Sequence, residues 1–227
     1  MSKLIQSIFD SREFNGRLNR AEGISKETSL ETGFYVQKKF MEGLDGNPNP
    51  DYKVGEIMLG EDENCLADGN DIADFSTGLY NFMFVHFHGD FDRYFIPSPS
   101  DFAIISKRRR ELLQRYAINA KPVMITASHK QRKTYFAIVQ ETAKEPLPVH
   151  VIFDFVERYQ REIAEPFLAE FINPRNVQAF INKSGLYKCR IVEFYENSKI
   201  RIDERHRIDE PRLAELVEKF KRKSKSY

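Results

Sequence analysis

Tryptophan is absent from the 227 residues, and cysteine occurs only twice, at Cys65 and Cys189. Two isolated cysteines form no C-x-x-C pair and no disulfide framework, which fits a reducing compartment. No stretch approaches the roughly 18 consecutive apolar residues of a membrane span. The N-terminal MSKLIQSIFDSREF is too polar for a secretory signal, so the expectation is a soluble, cytoplasmic protein. The formal net charge is only +1, which argues against a generic nucleic-acid binder. The phosphate-binding patterns G-x-G-x-x-G and G-x-x-x-x-G-K-[ST] are missing, as is G-x-S-x-G. Nucleotide binding and serine-hydrolase chemistry therefore lose their usual support.

What is present is enough for a sizeable core. Hydrophobic residues make up 41% and aromatics 13% of the chain, with 19 Phe and 10 Tyr supplying the bulk that tryptophan does not. The near-zero net charge hides two opposed blocks. Residues 42–74 hold ten acidic side chains against Lys53, and residues 107–133 hold nine Lys or Arg against Glu111. The run RRRELLQR (108–115) reads as a solvated helix face, which makes nucleic acid an unlikely partner. The acidic stretch reads either as a solvated loop or as a docking face for a basic partner.

Periodicity predicts strands over Thr32–Phe40, Tyr52–Leu59, Phe82–His88, 122–127, 134–140, 149–155 and Tyr187–Tyr195. It predicts helices over Asp71–Tyr80, from Ser98 or Ser100 to Ala117, and over Phe155–Phe171, Pro174–Ile181 and Glu210–Lys221. Strands and helices alternate, so an α/β sandwich is expected. Pro146 and Pro148 mark a candidate boundary between residues 1–145 and a C-terminal extension, 146–227.

The chemistry concentrates in His86-Phe87-His88 and the segment that follows. On a strand, residues i and i+2 share a face, so His86 and His88 at a strand end point two imidazoles at one spot. Catalytic zinc commonly takes three protein ligands and leaves a position for water. Asp101, at the start of a predicted helix, can supply the third ligand. Ser98-x-x-Asp101 has a plainer reading as well: Ser98 is a helix cap, and Asp101 completes a capping-box turn.

Taken together, His86-x-His88, Ser98-x-x-Asp101 and the upstream Leu30-Glu31-Thr32-Gly33 resemble the JAMM motif of the JAB1/MPN/Mov34 zinc metalloproteases. The resemblance covers about residues 1–145. It implies a JAB/MPN-like (cytidine-deaminase-like) α/β/α sandwich followed by a C-terminal α+β extension. The H-x-E and P-C-x-x-C of the zinc deaminases themselves are absent.

The resemblance also implies a role for each residue. His86, His88 and Asp101 would ligate Zn2+. Glu31 would take a proton from the attacking water and pass it to the leaving amine, and Ser98 would donate a hydrogen bond to the oxyanion. The implied activity is that of a peptidase or isopeptidase acting at the C-terminus of a ubiquitin-like protein or its conjugate. Such a tail is extended and would enter a cleft as an added strand.

The chain departs from the motif in two ways. The interval between His88 and Ser98 is two residues longer than usual, and Gly89 stands where a proline commonly follows. Glu27, in the same KETSLETG segment, is a rival to Glu31; strand parity does not separate them. Two other readings stand beside this one. The chain is a non-catalytic MPN-like scaffold for a partner protein, or it is a metallohydrolase acting on a small amide or thiocarboxylate.

Overall fold

The computed structural model describes residues 3–39, 52–60, 73–74, 78–88, 97–130, 133–165 and 173–195. The chain opens with two helices, α1 (Lys3–Asp10) and α2 (Arg12–Thr28). The Ser11 hydroxyl caps α2 by accepting the Phe14 N–H at 3.1 Å, satisfying a donor that the first helical turn cannot. At the other end Ser29 takes a left-handed conformation, φ 57°, and turns the chain into β1 (Thr32–Lys39).

Four strands follow in sequence: β2 (Tyr52–Val54), β3 (Met58–Leu59), β4 (Ala73–Asp74) and β5 (Leu79–Phe87). Next come α3 (Pro99–Tyr116), β6 (Val123–Lys130), β7 (Lys133–Glu141) and α4 (Val149–Tyr159). After α4 a π-helical turn covers Gln160–Ala164, followed by α5 (Pro174–Lys183) and β8 (Tyr187–Tyr195).

The strands form one mixed sheet in the order β2-β1-β5-β6-β7-β8, with β3 also paired to β1 and β4 to β5. Among the described residues, only the β5–β6 pairing is parallel. Parallel neighbours need a crossover, and α3 is that crossover. It brings the N-terminus of α3 back near the C-terminal end of β5, where the two histidines lie.

Side chains alternate across the sheet. Phe34, Val36, Met83, Val85, Phe87 and Ile125 pack beneath Ile8, Phe14, Leu18 and Ala21 of α1 and α2. Tyr35, Phe84, Met124 and Val139 face the other way, onto Phe102 and Ile105 of α3, Ile152 and Phe155 of α4, and Ile181 of α5. The architecture is thus α/β with helices on both faces of a mixed sheet. Among the described residues, no helix is long and apolar enough to cross a membrane.

Three expectations need correction. Residues 149–155 form the start of α4 and not a strand. Their apolar residues serve a helical stripe, in which Ile152, Phe155 and Tyr159 are buried while Val149 and Phe153 are 47% and 60% exposed. Within the helix expected over Asp71–Tyr80, the described residues are strands: Ala73 pairs with Tyr80 and Asp74 with Leu79, antiparallel. Gly78, just before Leu79, takes a left-handed φ of 65°, which glycine adopts without strain. The single strand expected over Tyr52–Leu59 is split into β2 and β3, which both pair with β1.

Elements on both sides of Pro146 pack together. The strand β8 pairs with β7 from Glu141↔Tyr187 to Lys133↔Tyr195. Phe102, Phe155 and Tyr187 form one ring cluster, with centroids 4.9–5.0 Å apart. The helix α4 and the strand β8 are built onto the same sheet. The proposed terminal helix Glu210–Lys221 lies outside the described residues.

Candidate metal centre

The antiparallel register of β1 and β5 sets the site. Thr32 pairs with Phe87 and Gly33 with His86, so the next step outward brings Glu31 opposite His88. Thr32 points to the helix α2 side, where its hydroxyl donates to the Ala21 carbonyl at 2.8 Å. By alternation Glu31 and Gly33 point to the α3 side, with His86. Gly33 is required there: a Cβ would lie 2.6 Å from the Val85 carbonyl oxygen and 3.2 Å from the His86 Cβ. Any side chain at Gly33 would push β5, and His86 with it, out of register.

The first turn of α3 brings in Asp101. His86 Nε2 lies 3.2 Å from Asp101 Oδ1, and His88 Nε2 lies 3.8 Å from Asp101 Oδ2. One ligand atom from each of His86, His88 and Asp101 fits within a 4.8 Å span, and all three residues are buried. Ligands bonded to a tetrahedral zinc at 2.0–2.1 Å sit about 3.3 Å from one another, so the group needs to close by little.

Buried polar atoms normally find partners. Both ring nitrogens of His86 are buried and make no hydrogen bond. Its ring is held in place by stacking on Phe84, at a centroid distance of 5.1 Å and an interplanar angle of 18°. An orphaned imidazole clamped beside a carboxylate and a second imidazole is a donor set suited to a divalent cation. The residues present fit the metal that the motif implies.

The Asp101 carboxylate is held from two further sides. Its Oδ2 accepts the backbone N–H of Ser98 at 2.7 Å, so the capping turn of Ser98-x-x-Asp101 forms with the same carboxylate that faces the two histidines. The same oxygen accepts the Thr126 hydroxyl at 3.1 Å. Thr126 was not singled out in the sequence; in the sheet it is the register partner of His86 on β6, and nothing in MITAS distinguishes it from an ordinary strand threonine.

Glu31 Oε1 lies 3.3 Å from His88 Nδ1, where a carboxylate orients a ligand histidine and leaves its other nitrogen for the metal. Glu31 Oε2 is buried and makes no hydrogen bond. Its rival Glu27 lies on α2 and is exposed. Ser25, fully buried on α2, has its hydroxyl 2.9 Å from the Leu30 carbonyl and 3.5 Å from that of His88. It ties the two site-bearing strand ends to the helix behind them. Ser98 is half-buried, and its hydroxyl pairs with that of Ser100 at 2.7 Å.

The electrostatics follow from this crowding. Burial alone pushes the pKa of His88 down, but the Asp101 and Glu31 carboxylates outweigh it and hold it up at about 9. Burial also works against the charge of Asp101, yet His86 and His88 hold its carboxyl well below the usual carboxylate range.

A proton and a metal therefore compete for His88. Metal uptake at neutral pH is expected to release a proton, and affinity should rise with pH until about 9 and then level off. In the metal-free protein the sign is opposite. The stability contributed by protonated His88 is full below its ordinary 6.5 and is lost as pH rises through about 9. Zinc titration calorimetry in buffers of different ionisation enthalpy checks this; a heat independent of the buffer contradicts it.

No protein-family model matches the chain, and no curated protein matches it in sequence. The fold and site define an α/β protein whose buried His-His-Asp group can hold a metal ion. Residues 89–96, the lengthened loop after His88, lie outside the described residues, as does Cys65. Cys189 is a buried free thiol on β8, and burial pushes its pKa up to about 12. The basic run on α3 departs from expectation: Arg109 is buried, with its guanidinium 2.5 Å from Glu141.

Proposed function

We propose that this chain is a zinc-dependent peptidase or isopeptidase of the JAMM type on a JAB/MPN-like fold. The observation that carries the reading is a carboxylate beside the ligand group that is not itself one of the three ligands: Glu31, with its buried and unpartnered Oε2. Its Oε1 supports His88, as a carboxylate can at any metal site; the Oε2 left over is what a hydrolase needs, a base next to its water. Two histidines and one carboxylate also suit ferrous iron; the extra carboxylate favours hydrolysis.

Zinc, when bound, supplies the Lewis acidity that brings a water's pKa near neutrality and polarises a carbonyl. His86, His88 and Asp101 would hold it. Glu31 Oε2 accepts the water's proton and returns it to the departing amine, while Oε1 keeps His88 oriented. The Ser98 hydroxyl, able to accept from Ser100, keeps its own proton free to donate to the developing oxyanion. The substrate class is the extended C-terminal tail of a ubiquitin-like protein or its conjugate.

The test is cleavage of a fusion joined through such a tail. Cleavage should stop with chelator and return with zinc. Ser98→Ala should be slower by roughly 10²–10³-fold at unchanged zinc content. Cleavage that persists in chelator sinks the reading, and an unchanged Ser98→Ala rate returns Ser98 to a helix cap alone.

A further inference from the structure

We propose that Thr126 is a positioning residue that holds Asp101 as a one-oxygen ligand and so sets which metal the site prefers. This rests on the reading of His86, His88 and Asp101 as a metal centre, and not on the hydrolytic activity.

A carboxylate has two oxygens and can offer one or both to a cation. In Asp101 the two are inequivalent. Oδ2 accepts the Ser98 N–H at 2.7 Å and the Thr126 hydroxyl at 3.1 Å. Oδ1 faces His86 Nε2 at 3.2 Å, while the nearest approach of His88 Nε2 is to Oδ2, at the longer distance of 3.8 Å. With two donors on Oδ2, the carboxylate is turned to present Oδ1.

Both hydrogen bonds come from rigid places. Ser98 N–H belongs to the cap of α3. Thr126 lies in the β5–β6 ladder opposite His86 and is 1% exposed. One hydroxyl thus locks the helix-borne ligand to the strand-borne one. A one-oxygen aspartate with two imidazoles leaves the low coordination number of zinc. A two-oxygen aspartate favours larger, oxygen-seeking cations with six or more ligands. Thr126 therefore acts on the choice of metal as well as on affinity.

The test compares wild type, Thr126→Val, Thr126→Ser and Thr126→Ala by zinc competition against a chromogenic chelator, manganese binding, and the visible spectrum of the cobalt-loaded protein. Thr126→Val should bind zinc roughly 10–100-fold more weakly and lose part of its preference for zinc over manganese. Its cobalt spectrum should weaken as coordination number rises. Thr126→Ser, which keeps the hydroxyl, should bind zinc as wild type does. Wild-type zinc affinity and cobalt spectrum in Thr126→Val overturn the proposal. If that variant does not fold, the Ser and Ala variants, which differ by one oxygen, decide: equal zinc affinities overturn it. A wild-type protein that takes up neither zinc nor cobalt fails the metal centre itself.

Discussion

Glu31→Gln is expected to lower hydrolysis by roughly 10²–10⁴-fold, the usual worth of a positioned base, while the protein still binds one zinc per chain. Glutamine keeps the shape and can still accept a hydrogen bond from His88 Nδ1 through its amide oxygen, but it cannot take up a proton at neutral pH. Glu27→Gln, on the exposed face of α2, should change nothing. Single-turnover cleavage beside zinc content separates the functions. A Glu31→Gln protein that has lost zinc would make Glu31 a ligand or an essential support of His88. A fully active one would remove it from the chemistry.

The second large effect concerns Arg109, on the core-facing stripe Phe102–Ile105–Arg109–Leu112 of α3, where all four side chains are buried. Its Nη1 lies 2.5 Å from Glu141 Oε2 at the end of β7, and its Nη2 donates to the carbonyls of Ala143, at 3.0 Å, and Lys144. Truncating one partner of a buried pair strands the other's charge, at a cost of about 3–5 kcal/mol. Arg109→Met should therefore lower the melting temperature by roughly 6–20 °C. Arg109→Met with Glu141→Leu removes both charges and should recover most of the loss. Thermal unfolding of the single and double variants checks this. A single variant within 2 °C of wild type would mean that the pair contributes no net stability.

The parts of the fold that were legible in the sequence are those where one local signal dominates. The aromatic run ending in His86-Phe87-His88 has no helical reading, and Ser98-Pro99 announces the start of α3 by cap and ring geometry. The segment 149–155 misled because its valines, isoleucine and phenylalanines suit a strand by composition. Pro148 just ahead of it and the buried spacing Ile152–Phe155–Tyr159 decide for a helix. Arg109 was hidden by its neighbours in RRRELLQR, although its place in the 102–105–109–112 stripe was a signal of burial.

The grouping of His86, His88 and Asp101 was legible because two of its members are two residues apart and the third opens the next helix. Glu31 is preferred to Glu27 in the sequence only because an apolar strand follows it directly, since strand parity does not separate them; in the structure Glu27 belongs to α2 and is exposed. Thr126 was beyond reach: its tie to Asp101 arises only when β6 lies parallel to β5.

The claim on which the rest depends is that His86, His88 and Asp101 hold a metal. Its most direct test is the metal content of the purified protein after zinc loading and dialysis, measured by mass spectrometry on wild type and on the His86→Ala/His88→Ala double variant. The expected result is one zinc per chain in the wild type and none in the double variant. Zinc missing from the wild type, or still present at one per chain in the double variant, would contradict the account.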